Sequence, residues 1–321
     1  MEMRLPMRID RAAVLSLGLL TGGAMRAEEP KSRAIVQSRA IAQSRAIVPE
    51  QFVTARPAKT SAPAAASTAA YHRVGSPAGS KTALKVDALT ISGDTRQLGL
   101  TIWLLRASKA ADSGARILVH DPEGTAEYTP ERISPGAPLR IGDRVRLSIE
   151  SAQKGHLYVI DQERHADGTL GEAYLIFPTA RTRSGDNQAV PGRLIEIPAQ
   201  EDRPNYFRMK QSRPDQTGEE LTLLVTPEPL EGITIGSDPL VLPAVRVKEW
   251  ESKWGKAVDR FELSGGAGKT WTKEEQQAGL GGTRLLTQDE PGPQTIYRAT
   301  SGPTNPLLVK LNLNYRIAPR K

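Results

Sequence analysis

The chain has 321 residues, 38% hydrophobic content, no cysteine and a formal charge of +7. The length sets one large or two modest domains. The missing thiols exclude disulfides, thiolate catalysis, iron–sulfur clusters and zinc–thiolate sites. The charge is local: residues 83–321 carry 31 basic and 31 acidic side chains, so the excess lies before them, +2 over 1–27 and +5 over 28–82. Affinity for nucleic acid needs clustered Lys and Arg that neutralise phosphates. A neutral body does not supply them by count, and no nucleic-acid partner is expected.

At the N-terminus, Arg4, Arg8 and Arg11 precede the apolar run Ala12–Leu20, and the small residues Gly22, Gly23, Ala24 and Ala27 follow. A basic start, a short apolar stretch and a small-residue exit describe a secretory signal peptide over 1–27. The run is short for a bilayer and no other stretch reaches 18 apolar residues. The expectation is an exported protein, periplasmic or secreted, with no transmembrane span after signal cleavage.

Residues 32–49 read Ser-Arg-Ala-Ile-Val-Gln, Ser-Arg-Ala-Ile-Ala-Gln, Ser-Arg-Ala-Ile-Val-Pro. A period of six scatters Arg33, Arg39 and Arg45 around a helix but keeps them on one face of an extended strand. Two readings follow: a duplication within a disordered tether, or a basic arm in weak contact with anionic surfaces. Pro57, Pro63, Ala64–Ala66, Pro77 and Gly79 continue the low-complexity character. Residues 28–82 are thus expected as a basic repeat and disordered linker.

From Leu84 onward the hydrophobic period is two, the mark of half-buried strands. Leu98, Leu100, Ile102 and Leu104 alternate with Gly99, Thr101, Trp103 and Leu105; Val145, Leu147 and Ile149 alternate with Arg144, Arg146, Ser148 and Glu150. Further strands are predicted at 117–119, 155–161, 173–177, 193–197, 206–210 and 221–226. Turn sequences such as Asp121-Pro-Glu-Gly124 and Asp167-Gly168 separate them. In the last strand Leu307, Val309, Leu311, Leu313 and Tyr315 share one face, with Lys310, Asn312, Asn314 and Arg316 on the other. Such regularity predicts that it pairs within the same sheet.

Two short helices interrupt the strands. Val247, Trp250, Trp254 and Val258 fall on one helical face, and packing against a sheet is the expected role of the two tryptophans. Thr272-Lys-Glu-Glu275 forms a capping box that opens a helix ending at Gly279. The fold class is mainly β: an immunoglobulin-like β-sandwich over 83–230, followed by a C-terminal extension, 231–321, with the two helices and the closing strand.

Within 139–230, the segments Arg140-Ile-Gly-Asp-Arg-Val-Arg-Leu147, Gly155-His-Leu-Tyr-Val159, Asp167-Gly168, Leu175-Ile-Phe-Pro178, Gly185-Asp-Asn187 and Glu220-Leu-Thr-Leu-Leu-Val-Thr226 stand in order. This stretch resembles the bacterial domain of unknown function 4384 (DUF4384) family. In such proteins the residue between Gly155 and Leu157 is usually aromatic, whereas here it is His156. The resemblance implies an envelope or secreted β-sandwich-like module and no activity.

Catalytic and ligand signatures fail on spacing. Gly265-Gly-Ala-Gly-Lys-Thr270 looks like a phosphate-binding loop, but position 263 is Leu where that loop needs Gly. A calcium loop around Gly168 would place Tyr174 where a bidentate Glu is needed. His72, His120, His156 and His165 lack metal-ligand spacing, and no nucleophile elbow occurs. No cofactor, metal or catalytic residue is expected.

The leading expectation is a non-catalytic interaction module that contacts protein partners at the envelope. Two alternatives remain: binding of cell-wall or surface polysaccharide through Trp103, Tyr158, Tyr174 and Trp271, or a hydrolase in which His156 or His165 meets an acidic or hydroxyl side chain. The candidate binding residues are Trp103, His156, Tyr158 and Tyr174.

Overall fold

The computed structural model describes residues 50–59, 70–75, 95–121, 124–281, 284–302 and 304–316, all within one compact unit. The expected signal peptide and the repeat at 32–49 lie outside the described residues. The chain is mainly β. In order come β1 (Tyr71–Val74), β2 (Thr95–Ala107), β3 (Ile117–Asp121), β4 (Gly124–Ile133) and β5 (Arg144–Ser151). Then follow β6 (Gly155–His165), β7 (Ala173–Phe177), β8 (Gln188–Ala189), β9 (Ile195–Ile197), β10 (Phe207–Arg208) and β11 (Gln216–Thr226). The remainder is β12 (Leu240–Leu242), helix α1 (Ala244–Trp254), β13 (Val258–Leu263), helix α2 (Lys273–Gly279), β14 (Thr295–Thr300) and β15 (Leu307–Asn314).

These strands form two antiparallel sheets. The spine of the first is β2, long enough to pair differently along its length. One edge meets β14 at Thr95–Leu100 and β4 at Ile102–Ala107; the other meets β5 over Leu98–Leu105. Strands β13 and β1 extend it beyond β14, β3 beyond β4, and β9 and β10 beyond β5. The second sheet runs β12-β7-β6-β11-β15, with β8 on β6. The inner faces share one core, in which Leu98, Leu100, Ile102, Leu147 and Ile149 meet Leu157, Val159, Leu223, Val309 and Leu311. Each such side chain stabilises by roughly 1.5–3 kcal/mol when fully buried. The even period predicted for β15 holds: all five odd residues from 307 to 315 are buried.

Both outer faces are covered as well. Over the second sheet, Val247 and Trp250 of α1 pack on Tyr158, Ile160, Leu175, Leu224 and Leu308; Trp250 stacks on Trp254 with centroids 6.0 Å apart. This matches the packing role predicted for the tryptophans. Val258 leaves the predicted helical face, because the chain turns extended at Gly255 and opens β13 instead. Over the first sheet lies a polar layer with three buried ion pairs: Arg56–Glu150, Arg146–Glu196 and Arg132–Glu275. Glu275 also completes the capping box of α2, accepting from the Thr272 N–H at 2.9 Å.

Two boundaries expected from sequence are corrected. Residues 50–59 and 70–75 of the expected linker are docked on the body. The Phe52 ring lies against Gly99, where a Cβ would stand 2.6 Å from it. Arg56 grips Glu150 through two 2.8 Å bonds and donates to the carbonyls of Thr287, Glu290 and Pro291. Residues 231–321 are not an appendage either: β13 and β14 complete the first sheet, β12 and β15 the second. The look-alike phosphate loop has a structural job, since the Lys269 carbonyl and Gly268 N–H bond the backbone of Arg132 and cover the edge of β4.

Candidate functional site

The four residues expected to form a binding surface are not gathered into one. Trp103 is 1% exposed; its Nε1 donates to Ser148 Oγ at 2.7 Å, its ring meets Trp271 edge-on, and the Arg132 guanidinium lies over it. Tyr158 is buried beneath α1, its hydroxyl accepting from the Leu230 N–H. Packing against covering elements therefore occupies both rings, which corrects the expectation that they are open to a ligand. Trp271 is buried too. His156 is half-buried with Nδ1 3.3 Å from Asn187 Oδ1, and the exposed Tyr174 donates to Glu172. His165 is buried with Nδ1 4.0 Å from Asp215 Oδ1, beyond hydrogen-bond reach.

A different feature stands out at the side where the two sheets meet. Strand β15 is the edge of the second sheet among the described residues, where its strand partner is β11. The Tyr315 N–H donates to the carbonyl of Thr217, at the bulge in β11, so the odd residues direct their backbone towards β11. The Asn314 carbonyl accepts from Leu139 at 2.8 Å and the Arg316 N–H donates to Leu139 at 2.6 Å, so the even residues direct theirs outward. By that alternation the N–H and C=O groups of Leu308, Lys310 and Asn312 also point away from the sheet. No partner for them occurs among the described residues.

These groups face a groove of about 540 Å³. Its floor is apolar, with Val258 and Tyr297 from the first sheet and Val309 and Leu311 from the second. Two connecting segments bound it. At one end α1 stops at Gly255 and the chain passes through Lys256 to β13; at the other, Pro135 and Gly136 carry it from β4 towards Leu139. Asn314 Nδ2 reaches the Gly136 carbonyl and marks that second end. The groove wall holds Lys256, Arg260 and Lys310, and no carboxylate lines it among the described residues. Lys310 is drawn to the outer face by Glu220 at 2.5 Å and Glu251 at 3.0 Å. Arg260 pairs with Glu262 and donates to the Pro135 carbonyl.

A second cluster lies at the far end of β15. Glu163 and Glu219 are cross-strand partners, and Asp161 lies two residues from Glu163 on β6. Burial first, then the Glu163 charge, pushes the Asp161 carboxyl up to about 7. Burial and the Asp161 charge push Glu219 up to about 8, although Glu219 Oε1 accepts from Tyr315 at 2.5 Å and Gln216 at 2.8 Å. Asp161 Oδ1 and Glu219 Oε2 are buried without a partner. Like charges so placed cannot all ionise cheaply, and the pair holds a proton at neutral pH. No group of three or more His, Cys, Asp or Glu suited to a metal ion occurs among the described residues.

The sequence pattern sets Lys310 and Asn312 on the outward face of the last strand, but which strand is an edge depends on sheet order. Lys256 carries no signal beyond its place after a helix. Comparison with protein-family models, curated proteins and solved structures gives no match for this chain. Among the described residues no helix is long and apolar enough to cross a membrane.

Proposed function

We propose that the chain is an exported, non-catalytic interaction module of the cell envelope, an immunoglobulin-like β-sandwich that takes up an extended segment of a partner protein along β15. The observation that carries this reading is the row of outward N–H and C=O groups at Leu308, Lys310 and Asn312, open above an apolar groove. An open edge with alternating pockets is the physical basis of strand addition, where main-chain bonds supply affinity and side-chain pockets select the segment. Three residues offer up to six such bonds, each worth about 0.5–1.5 kcal/mol net. The signal-like N-terminus and the resemblance of 139–230 to the DUF4384 family favour the envelope. The burial of Trp103, Tyr158 and Trp271 weighs against sugar stacking.

Native-state hydrogen exchange tests the proposal. The amides of Leu308, Lys310 and Asn312 are expected to exchange fast in the isolated protein and to slow when it is mixed with solubilised envelope fraction. Asn312→Pro removes one outward N–H without touching the β11 ladder, and should abolish the slowing at Leu308 and Lys310. Unchanged exchange along β15 in every envelope and secreted fraction would refute strand uptake. Cell fractionation tests the location: a chain that keeps residues 1–27 and stays in the cytoplasm refutes export.

A further inference from the structure

We infer that the segment received by β15 carries a carboxylate near its C-terminal end, held by Lys256; this rests on the strand-addition reading above. Direction comes first. Every pair of strands in the two sheets is antiparallel, and the one parallel contact is the isolated bridge of Leu139 to Tyr315, which closes the Asn314 end of this edge. A strand added to β15 in the same sense runs from the Asn314 end of the groove to the Leu308 end. Lys256 stands at the Leu308 end, because it follows the α1 terminus and Trp254 packs in the same cluster as Leu308. The C-terminal part of the incoming segment therefore arrives beside Lys256.

Charge comes second. Of the three cations that line the groove, Arg260 is engaged by Glu262 and Lys310 by Glu220 and Glu251. Lys256 is exposed, and no carboxylate partner for it occurs among the described residues. No acidic side chain lines the groove among the described residues, so an acidic group brought to this end meets the uncompensated ammonium of Lys256. The floor adds a third requirement: alternate side chains that face Val258, Tyr297, Val309 and Leu311 must be apolar. The ligand is thus an extended peptide of alternating apolar and polar residues ending in an acidic one. A second copy of the chain fits less well, since antiparallel pairing of two β15 strands centred on Lys310 sets like charges opposite each other.

Two end-blocked, fluorescein-labelled peptides test this on the whole mature protein: Ser-Val-Thr-Val-Thr-Val-Glu and its reversed sequence, compared by anisotropy at low salt. The first should bind about two- to five-fold tighter, the range expected of one exposed ion pair. Lys256→Gln should erase the preference and Lys256→Glu invert it, both at an exposed position where folding is not at stake. Equal affinities, or a preference indifferent to Lys256, overturn the carboxylate placement and leave strand addition standing. If neither peptide binds, or a version N-methylated at alternate residues binds as well as the parent, strand addition itself falls. A concentration-dependent dimer in sedimentation that excludes both peptides assigns the edge to a second copy and overturns both.

Discussion

The carboxyl pair Asp161–Glu219 makes stability depend on pH in the direction opposite to ordinary salt-bridged acids. Burial and the neighbouring carboxylates push these groups up to about 7 and about 8 in the folded protein, from ordinary values of 3.8 and 4.5. A raised folded value means that the native state holds a proton the unfolded chain releases. That contribution is fully present below the unfolded value, declines as pH rises, and is lost once pH passes the folded value. Both groups lie beside Glu163, and the Tyr315 hydroxyl, itself pushed above its usual range by burial and Glu219, stays a donor throughout. A shift of about three units for one shared proton is worth roughly 4 kcal/mol at most, and partial solvent screening brings the expected loss between pH 5 and 9 to roughly 2–4 kcal/mol. For a body of this size that is a fall in Tm of roughly 5–15 °C. Carboxylates held low by arginine, such as Asp112 beside Arg106 and Asp121 beside Arg144, act only below about pH 4 and do not enter that window. Circular-dichroism melts at fixed ionic strength from pH 5 to 9 measure the slope. It should flatten in Asp161→Asn/Glu219→Gln, where the new side-chain amide oxygen at position 219 can still accept from Tyr315. A wild-type Tm that is level or rising across the window, or an unchanged slope in the double variant, refutes the shared proton.

Three further outcomes are expected. Arg146→Met leaves Glu196, 1% exposed and with Oε1 already unpaired, as a lone buried charge; urea unfolding should show a loss of about 3–5 kcal/mol, largely recovered in Arg146→Met/Glu196→Leu. Gly99→Ala drives a methyl to within 2.6 Å of Phe52 and Pro293 and should cost about 1–3 kcal/mol. Because the clash runs partly through Phe52, a double-mutant cycle with Phe52→Ala should give a non-zero coupling; strict additivity would mean that residues 50–57 are not docked in solution. Removing the charges at this edge together, in Lys310→Val/Glu220→Gln/Glu251→Gln, should make the protein self-associate at high concentration in sedimentation, whereas a strictly monomeric variant would show that these charges do not guard the edge.

What is legible in the sequence follows from how many faces an element buries. Strand β15 buries its odd face throughout and, beyond Leu308 beneath α1, opens the other at Lys310 and Asn312, so its period of two is readable over 309–315. Strand β2 buries both, and its second face reads Gly99, Thr101, Trp103, Leu105. A polar–aromatic row of that kind looks solvent-facing until loops are known to cover it, hence the misplacement of Trp103. Strand β4 is hidden because Pro130, Glu127 and Arg132 weaken every local strand signal. Pro130 is tolerated since its carbonyl faces the 268–271 loop, so the missing N–H lies outside the ladder to β2. Charges mislead for a related reason. Arg56, Arg146 and Glu150 read as surface residues, and only the three-dimensional approach of their partners allows burial. Phe52 and Arg56 are lost in a segment whose average composition is that of a linker.

The sheet faces and the sheet edge then tell different stories. Among the described residues, α1 packs over the outer face of one sheet and a polar layer clasped by residues 50–59 covers that of the other. An open strand beside an apolar groove is an aggregation hazard unless something excludes self-pairing. Here the central residue of the open run is Lys310, held between Glu220 and Glu251. Two copies meeting edge to edge would crowd two ammonium and four carboxylate groups around the new pair. A partner strand without a charge at that position meets no such crowding and still finds the backbone groups of Leu308, Lys310 and Asn312. The charges that keep the edge from its own kind are thus compatible with leaving it open to another chain, which is the property an interaction module requires.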